Sequence, residues 1–372
     1  MQKRRFRGQG MASFAWGAGT CGQLGDGGWE DQWRPVTCTW DAREGMDVAC
    51  GGSQCLAKGR DGQVWVWGNT HGLEVEQGKE KVEIPTRIPM GIPSKVKVTS
   101  IATGWSHFAF CTTEGQVYTC GTGTVGQLGH GQEVQVLQKP MPVSEPVEGM
   151  GAIQVSCGLR HTLVLSRRGS VWACGAGKRG QLGCSSAPRK LCTFQTVQQI
   201  PSNDIRVIRG GGERSACVTE NGSLFVWGRA WDKADPDKLV PCAVVAPGIR
   251  WQDIHLGWSH AVALDVAGQC WTWGSNQYGQ LGREGPCCTQ PKEIDSEQLS
   301  ACRIVQVATG SEHTVALCEN GTVFTWGWGE HGQLGLGHTF DTLKPTLVKL
   351  PSPINRIACG AGFCLAFKVL QD

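Results

Sequence analysis

Four histidines, His107, His161, His260 and His313, each stand three residues after a glycine, and Gln54 and Arg214 hold the same place in two further copies. Imidazoles brought within a few ångströms of one another could hold a divalent metal or relay a proton. The recurrence argues against both, because residues repeating at a long fixed period belong to separate structural units and diverge around a ring. A strand-start His bonded to neighbouring backbone is the other reading. No Ser/His/Asp set or carboxylate pair can be assembled from the spacing, so no covalent chemistry, metal or cofactor is expected.

A second temptation is G-x-G-x-x-G, which begins at Gly17, Gly121, Gly175 and Gly327. A dinucleotide site needs that pattern on one strand-to-helix turn, with an acidic residue roughly twenty positions on. Here it recurs, and no amphipathic helix follows. Lys178 lacks the Lys-Ser/Thr context of a phosphate loop. These glycines are expected to make tight turns.

The elements that must position these residues come from one repeated unit. The glycine of Trp-Gly, or of its Cys-Gly variant, falls at Gly17, Gly68, Gly121, Gly175, Gly228, Gly274 and Gly327. That spacing of about fifty residues signals blades or solenoid turns. Six residues before the last six stands another glycine, in pairs such as Asp61-Gly62, Asn221-Gly222 and Asn320-Gly321, which suit a hairpin needing positive φ. Each unit therefore reads Gly-x-x-His, strand, turn, strand, Trp-Gly and, in most copies, Gly-Gln-Leu-Gly. The unit that instead runs from Trp231 to Lys238 is the irregular one.

The strand after the turn alternates small and large residues, as in Val64-Trp65-Val66-Trp67, so both faces are apolar and both must be covered. Each buried Trp would remove roughly 200 Å2 from water, about 5 kcal/mol gross. Sheets arranged radially, bulky face against slim face, meet that demand: the chain is expected to be all-β, a seven-bladed β-propeller. Ser13-Phe14-Ala15-Trp16-Gly17 lacks a preceding hairpin, and Gly360 to Phe367 lacks a following Trp-Gly strand. The last blade is thus expected to close with strands from both termini. Residues 11–368 form the propeller, 1–10 a basic tail and 369–372 the C-terminal end.

Net charge is +3 in 372 residues, which gives no strong case for nucleic acid, and no apolar run of about twenty suggests a membrane span. The start of the chain lacks the apolar core of a signal peptide. Nineteen cysteines include no C-x-x-C, and many fall on expected strands. They read as reduced, small apolar residues of a cytosolic or nuclear protein.

Inside Gly-x-x-His the residues vary: Trp105-Ser106, Leu159-Arg160, Gly212-Glu213, Trp258-Ser259 and Ser311-Glu312. Variation on one rim of a constant frame suggests a partner there, and exposed Trp and Arg are frequent anchors. Packing of Trp105 and Trp258 between blades is the alternative. Trp-Gly, Gly-Gln-Leu-Gly and Gly-x-x-His together resemble the regulator-of-chromosome-condensation repeat family, over nearly everything after residue 10. The resemblance implies guanine nucleotide exchange on a small GTPase, Ran-like or Rab-like, in secretion or trafficking, or else a non-catalytic interaction scaffold. It implies that one face of a monomeric ring presses on the GTPase and favours its nucleotide-free form. On this sequence that face comprises Trp105, His107, Arg160, His161, Arg214, Trp258, His260, Glu312 and His313. Where the family's Ran exchanger has acidic loop residues and a protruding wedge, this chain has Trp105 and Arg160 and no comparable insertion. The Gly-Trp-Arg-His-Thr repeat of light-sensing relatives is absent.

Overall fold

The computed structural model describes residues 13–40, 47–75, 79–144, 151–200, 204–294, 299 and 302–369; the basic tail at 1–10 lies outside them. Among the described residues, 28 strands run from β1 (Ser13–Gly17) to β28 (Phe363–Phe367) in seven four-stranded antiparallel sheets. Six blades are meanders of consecutive strands. We number them one to six, from the sheet that starts with β3 (Asp47–Cys50) to the sheet that ends with β26 (Thr342–Val348). Blade seven has the order β2 (Gln32–Thr37), β1, β28, β27 (Arg356–Cys359), with Ser13 opposite Phe367, Ala15 opposite Leu365 and Gly17 opposite Phe363. The ring is closed by its two ends, as the unmatched terminal motifs demand.

The alternation explains the packing, with one refinement. In the third strand of each blade the second bulky position is sealed, and Trp16, Trp67, Trp227, Trp273 and Trp326 are at most 1% exposed. At the first bulky position Phe14 and Phe324 are buried, whereas Trp65, Tyr118, Trp172, Phe225 and Trp271 are only half-buried. The reason is place: those side chains sit beside the hairpin turn, at the end of the ring remote from the Gly-x-x-His loops. The smaller residues Val64, Val66, Val171, Ala173 and Leu224 are buried.

The Trp-Gly glycines let strand meet strand at the loop end. Gly327 has φ of +104°, and a Cβ there would lie 2.5 Å from the Glu312 carbonyl oxygen and 2.9 Å from the His313 Cα. Gly327→Ala therefore combines backbone strain with a clash against main chain that cannot swing away. It is expected to lower the unfolding free energy by at least about 2 kcal/mol, read from the urea midpoint.

Of the nineteen cysteines, seventeen are free and Cys302 is joined to Cys318, so the expectation of fully reduced thiols fails at that pair. Among the described residues no helix is long and apolar enough to cross a membrane.

Candidate protein-binding rim

The innermost strands of the seven blades surround a central channel of about 490 Å3. All seven Gly-x-x-His-type loops cluster at one mouth of it, because each loop joins the innermost strand of a blade to the second. Inside, Arg209 meets Asp253 through two hydrogen bonds of 3.1 and 2.7 Å, and His255 stands 3.7 Å from the same carboxylate. Burial alone would raise the Asp253 carboxyl, but the facing Arg209 and His255 hold it well below the usual carboxylate range.

The histidines do not present themselves to a partner. His107, His161, His260 and His313 are 0% exposed, and Arg214 is 2% exposed. Each His reaches across to the residue that follows the equivalent position in the next blade: His107 to Thr162 (3.0 Å), His161 to Ser215 (2.9 Å), His260 to Thr314 (3.0 Å) and His313 to Cys364 (3.1 Å). Their partner is thus a side chain of the adjoining blade and not local backbone.

The hydroxyls settle the tautomer. Thr162 donates to the carbonyl of Gln127, Ser215 to that of Gln181 and Thr314 to that of Gln280. Each hydroxyl proton is spent on a carbonyl, so the oxygen accepts from His Nε2–H and Nδ1 carries no proton. Those Nδ1 atoms are buried without a hydrogen-bond partner, and burial pushes His107 and His260 down to about 3 and His161 to about 4. They are structural, neutral imidazoles.

The same carbonyls explain the Gly-Gln-Leu-Gly motif. Gln23, Gln181, Gln280 and Gln333 accept through their backbone oxygen from the indole N–H of Trp67, Trp227, Trp326 and Trp16, all at 2.9 to 3.0 Å. One loop carbonyl therefore satisfies the Trp and, where a hydroxyl or thiol is present, that group of the following blade. In blade four, which lacks the motif, Arg214 stands in the place of the histidine. Its guanidinium donates to the carbonyls of Arg229, Ala230 and Trp258 and stacks 3.8 Å from the Trp231 ring.

The rim itself is a belt of backbone hydrogen bonds from loop to loop. Gly52 donates to Gly104, Trp105 to Leu159, Leu159 to Gly212, Trp258 to Ser311, Ser311 to Ala361 and Ala361 to Gly51. The junction between blades four and five is made by Arg214 donating to the Trp258 carbonyl at 2.8 Å. Sequence reasoning missed this belt, because backbone donors leave no mark on residue type.

On that rigid belt stand the exposed members of the expected face. Trp105 and Trp258 are 42% and 41% exposed, and their ring centroids lie 5.6 Å apart although the loops belong to blades two and five. They meet over the channel mouth and do not pack between blades. Arg160 is exposed and follows Leu159, whose carbonyl accepts from the Trp105 N–H. Glu312 is mostly enclosed, accepting from Ser259 and from Gln280 at 2.7 Å, and burial raises its carboxyl above the usual value. The structure thus joins Trp105 and Trp258, leaves Arg160 exposed in a loop of the same rim, and buries His107, His161, His260, His313 and Arg214.

The model of the family described as RCC1-like domain matches residues 12–366. The chain is similar to the secretion-regulating guanine nucleotide exchange factor of Mus musculus, 31% identical over 399 residues that cover 95% of this chain and 82% of that one. It is similar to the ultraviolet-B receptor UVR8 of Arabidopsis thaliana, 29% identical over 340 residues, 87% of this chain and 74% of that one. Among solved structures, Prp20p from Saccharomyces cerevisiae superposes with a TM-score of 0.85 at 23% identity, covering 97% of this chain and 92% of that chain. That last likeness is one of fold.

Proposed function

The chain belongs to the RCC1-like domain family, and from that premise we propose that it regulates a small GTPase, as a guanine nucleotide exchange factor acting through the Trp105–Trp258 rim. The observation that carries the reading is the pair of exposed indoles held on a hydrogen-bonded belt, at the one end of the ring where the repeat varies. Exchange needs no covalent chemistry. It needs a surface that binds the nucleotide-free GTPase more tightly than the loaded form, and a pre-ordered rim loses little freedom on docking. The likeness to an exchange factor named for secretion supports a small GTPase as partner and a role in secretion or trafficking; the partner we propose is Ran-like or Rab-like, met by a monomeric ring in the cytosol or nucleus.

The similarity to an ultraviolet receptor carries less. Trp105 and Trp258 are each followed by Ser, and buried tryptophans such as Trp16, Trp67 and Trp326 are accounted for by blade packing.

Release of labelled GDP from a panel of Ran-like and Rab-like GTPases tests the reading. One member is expected to lose GDP at least tenfold faster with the protein present. Trp105→Ala with Trp258→Ala is expected to remove most of that gain, since anchor residues of this kind contribute about 2 kcal/mol each. A complete panel without acceleration overturns exchange and leaves an interaction scaffold of the same fold.

A further inference from the structure

The repeat brings three residues to every seam: the His-position residue of one blade, then, from the next blade, the residue before the loop glycine and the second residue of the second strand. Following the ring, the trios include Gln54 with Thr103 and Phe108, His107 with Cys157 and Thr162, His161 with Gly210 and Ser215, His260 with Thr309 and Thr314, and Phe363 with Cys50 and Cys55. These hold at most one imidazole and one thiol, or two thiols without an imidazole. At the seam between blades six and seven the trio is His313, Cys359 and Cys364. Among the described residues it is also the group whose His and Cys donor atoms all lie within 4.8 Å of one another.

Its geometry is close to that of a filled site. His313 Nε2 lies 3.1 Å from Cys364 Sγ, and Cys364 Sγ lies 3.5 Å from Cys359 Sγ. Ligands at tetrahedral angles, about 2.3 Å (sulfur) and about 2.05 Å (nitrogen) from zinc, would stand about 3.6 and about 3.8 Å apart. A few tenths of an ångström of outward movement suffices. Cys359 lines the central channel, so an ion can enter and a fourth position faces solvent.

We propose that His313, Cys359 and Cys364 form a binding site for a thiophilic divalent cation, Zn2+, opening on the central channel. Both thiols lose their protons on binding, and the His313 proton moves from Nε2 to Nδ1. Two blades would then share one ion at the seam where the chain termini complete the ring. The proposal stands apart from the rim reading, since neither Trp105 nor Trp258 is a ligand.

Cobalt(II) and zinc titrations of the full chain under a non-thiol reductant test it. The expected result is one equivalent of Co2+ with thiolate-to-metal charge transfer in the near ultraviolet, displaced by Zn2+, and a higher melting temperature with Zn2+. Cys364→Thr restores the hydroxyl that Thr162 and Thr314 supply at other seams and so keeps the fold, yet it is expected to weaken Zn2+ binding at least about 100-fold and abolish the melting shift. Cys359→Ser should do the same, and Cys50→Ser should leave binding intact. Co2+ binding that survives Cys359→Ser and Cys364→Thr overturns the site. So does the absence of a thiolate band, or a Cys359–Cys364 disulfide that persists under the reductant.

Discussion

Lowering the pH from 7 to 5 is expected to weaken the fold by about 2 kcal/mol for each of His107 and His161, with a smaller share from His260. Burial holds their folded-state values at about 3, 4 and 3, against 6.5 when free. A base whose folded value is depressed binds more protons when unfolded. Its contribution is therefore whole above about pH 6.5 and is lost as pH falls toward the folded value. The physical cause is the seam: protonating Nδ1 would bury an N–H with no acceptor, because Nε2 is already committed to the next blade's hydroxyl. His260 counts for less, since Glu312 Oε2 lies 3.9 Å from its Nδ1 and can receive the charge. Glu312 itself works in the opposite direction, its raised carboxyl being relieved by acid. Asp253 enters only at pH values below about 4, because its folded value is lowered from 3.8. Urea unfolding at several pH values measures the slope. His161→Gln, which copies the natural Gln54, should reduce it by close to one proton, and an unchanged slope would show that these imidazoles are not the groups responsible.

Trp16→Ala is expected to cost about 3–5 kcal/mol, the range for emptying a sealed aromatic site. Trp16 is fully buried and donates its indole N–H to the Gln333 carbonyl at 2.9 Å, tying the N-terminal strand to blade six. The substitution leaves a cavity in the apolar cluster containing Phe14, Val315, Ile357 and Ala366, and removes one of two donors from that carbonyl; the other is the Cys364 thiol. The site lies where the ring is sealed, so the damage falls on the contact that joins the chain ends. Trp33→Ala is the comparison, since Trp33 is 53% exposed. It should change stability by less than about 0.5 kcal/mol. Chemical denaturation of the two variants side by side decides the matter.

Much of this architecture could be read before any coordinates. The Trp-Gly period, the turn glycines and the half-units at each end imply seven blades and their closure, because a side-chain pattern apolar on both faces has few ways to be covered. The rim was legible only as a position. Residue types flagged Trp105, Arg160 and Trp258, but also His107, His161, Arg214, His260 and His313, which lie beneath the surface. A signal for their burial was present, in that the residue after the repeated position is Thr162, Ser215 or Thr314, a hydroxyl waiting for a donor. The meeting of Trp105 with Trp258 had no such signal, since the two loops are separated by half the ring. The His313, Cys359 and Cys364 group was hidden for a similar reason. The two thiols are spaced as C-x4-C, but Cys50 and Cys55 share that spacing, and the imidazole lies 46 residues before the first of them.

The pairing of Ser13–Gly17 with Phe363–Phe367 has a consequence for synthesis on the ribosome. Of the strands of the ring, Ser13–Gly17 is translated before the others, yet its inner neighbour Phe363–Phe367 emerges after them. Until then the growing chain displays an unpaired edge at its beginning, a template for wrong partners. Joining ends about 350 residues apart costs loop entropy that no local hairpin repays, so the final docking step should be slow and sensitive to anything fused near residue 13.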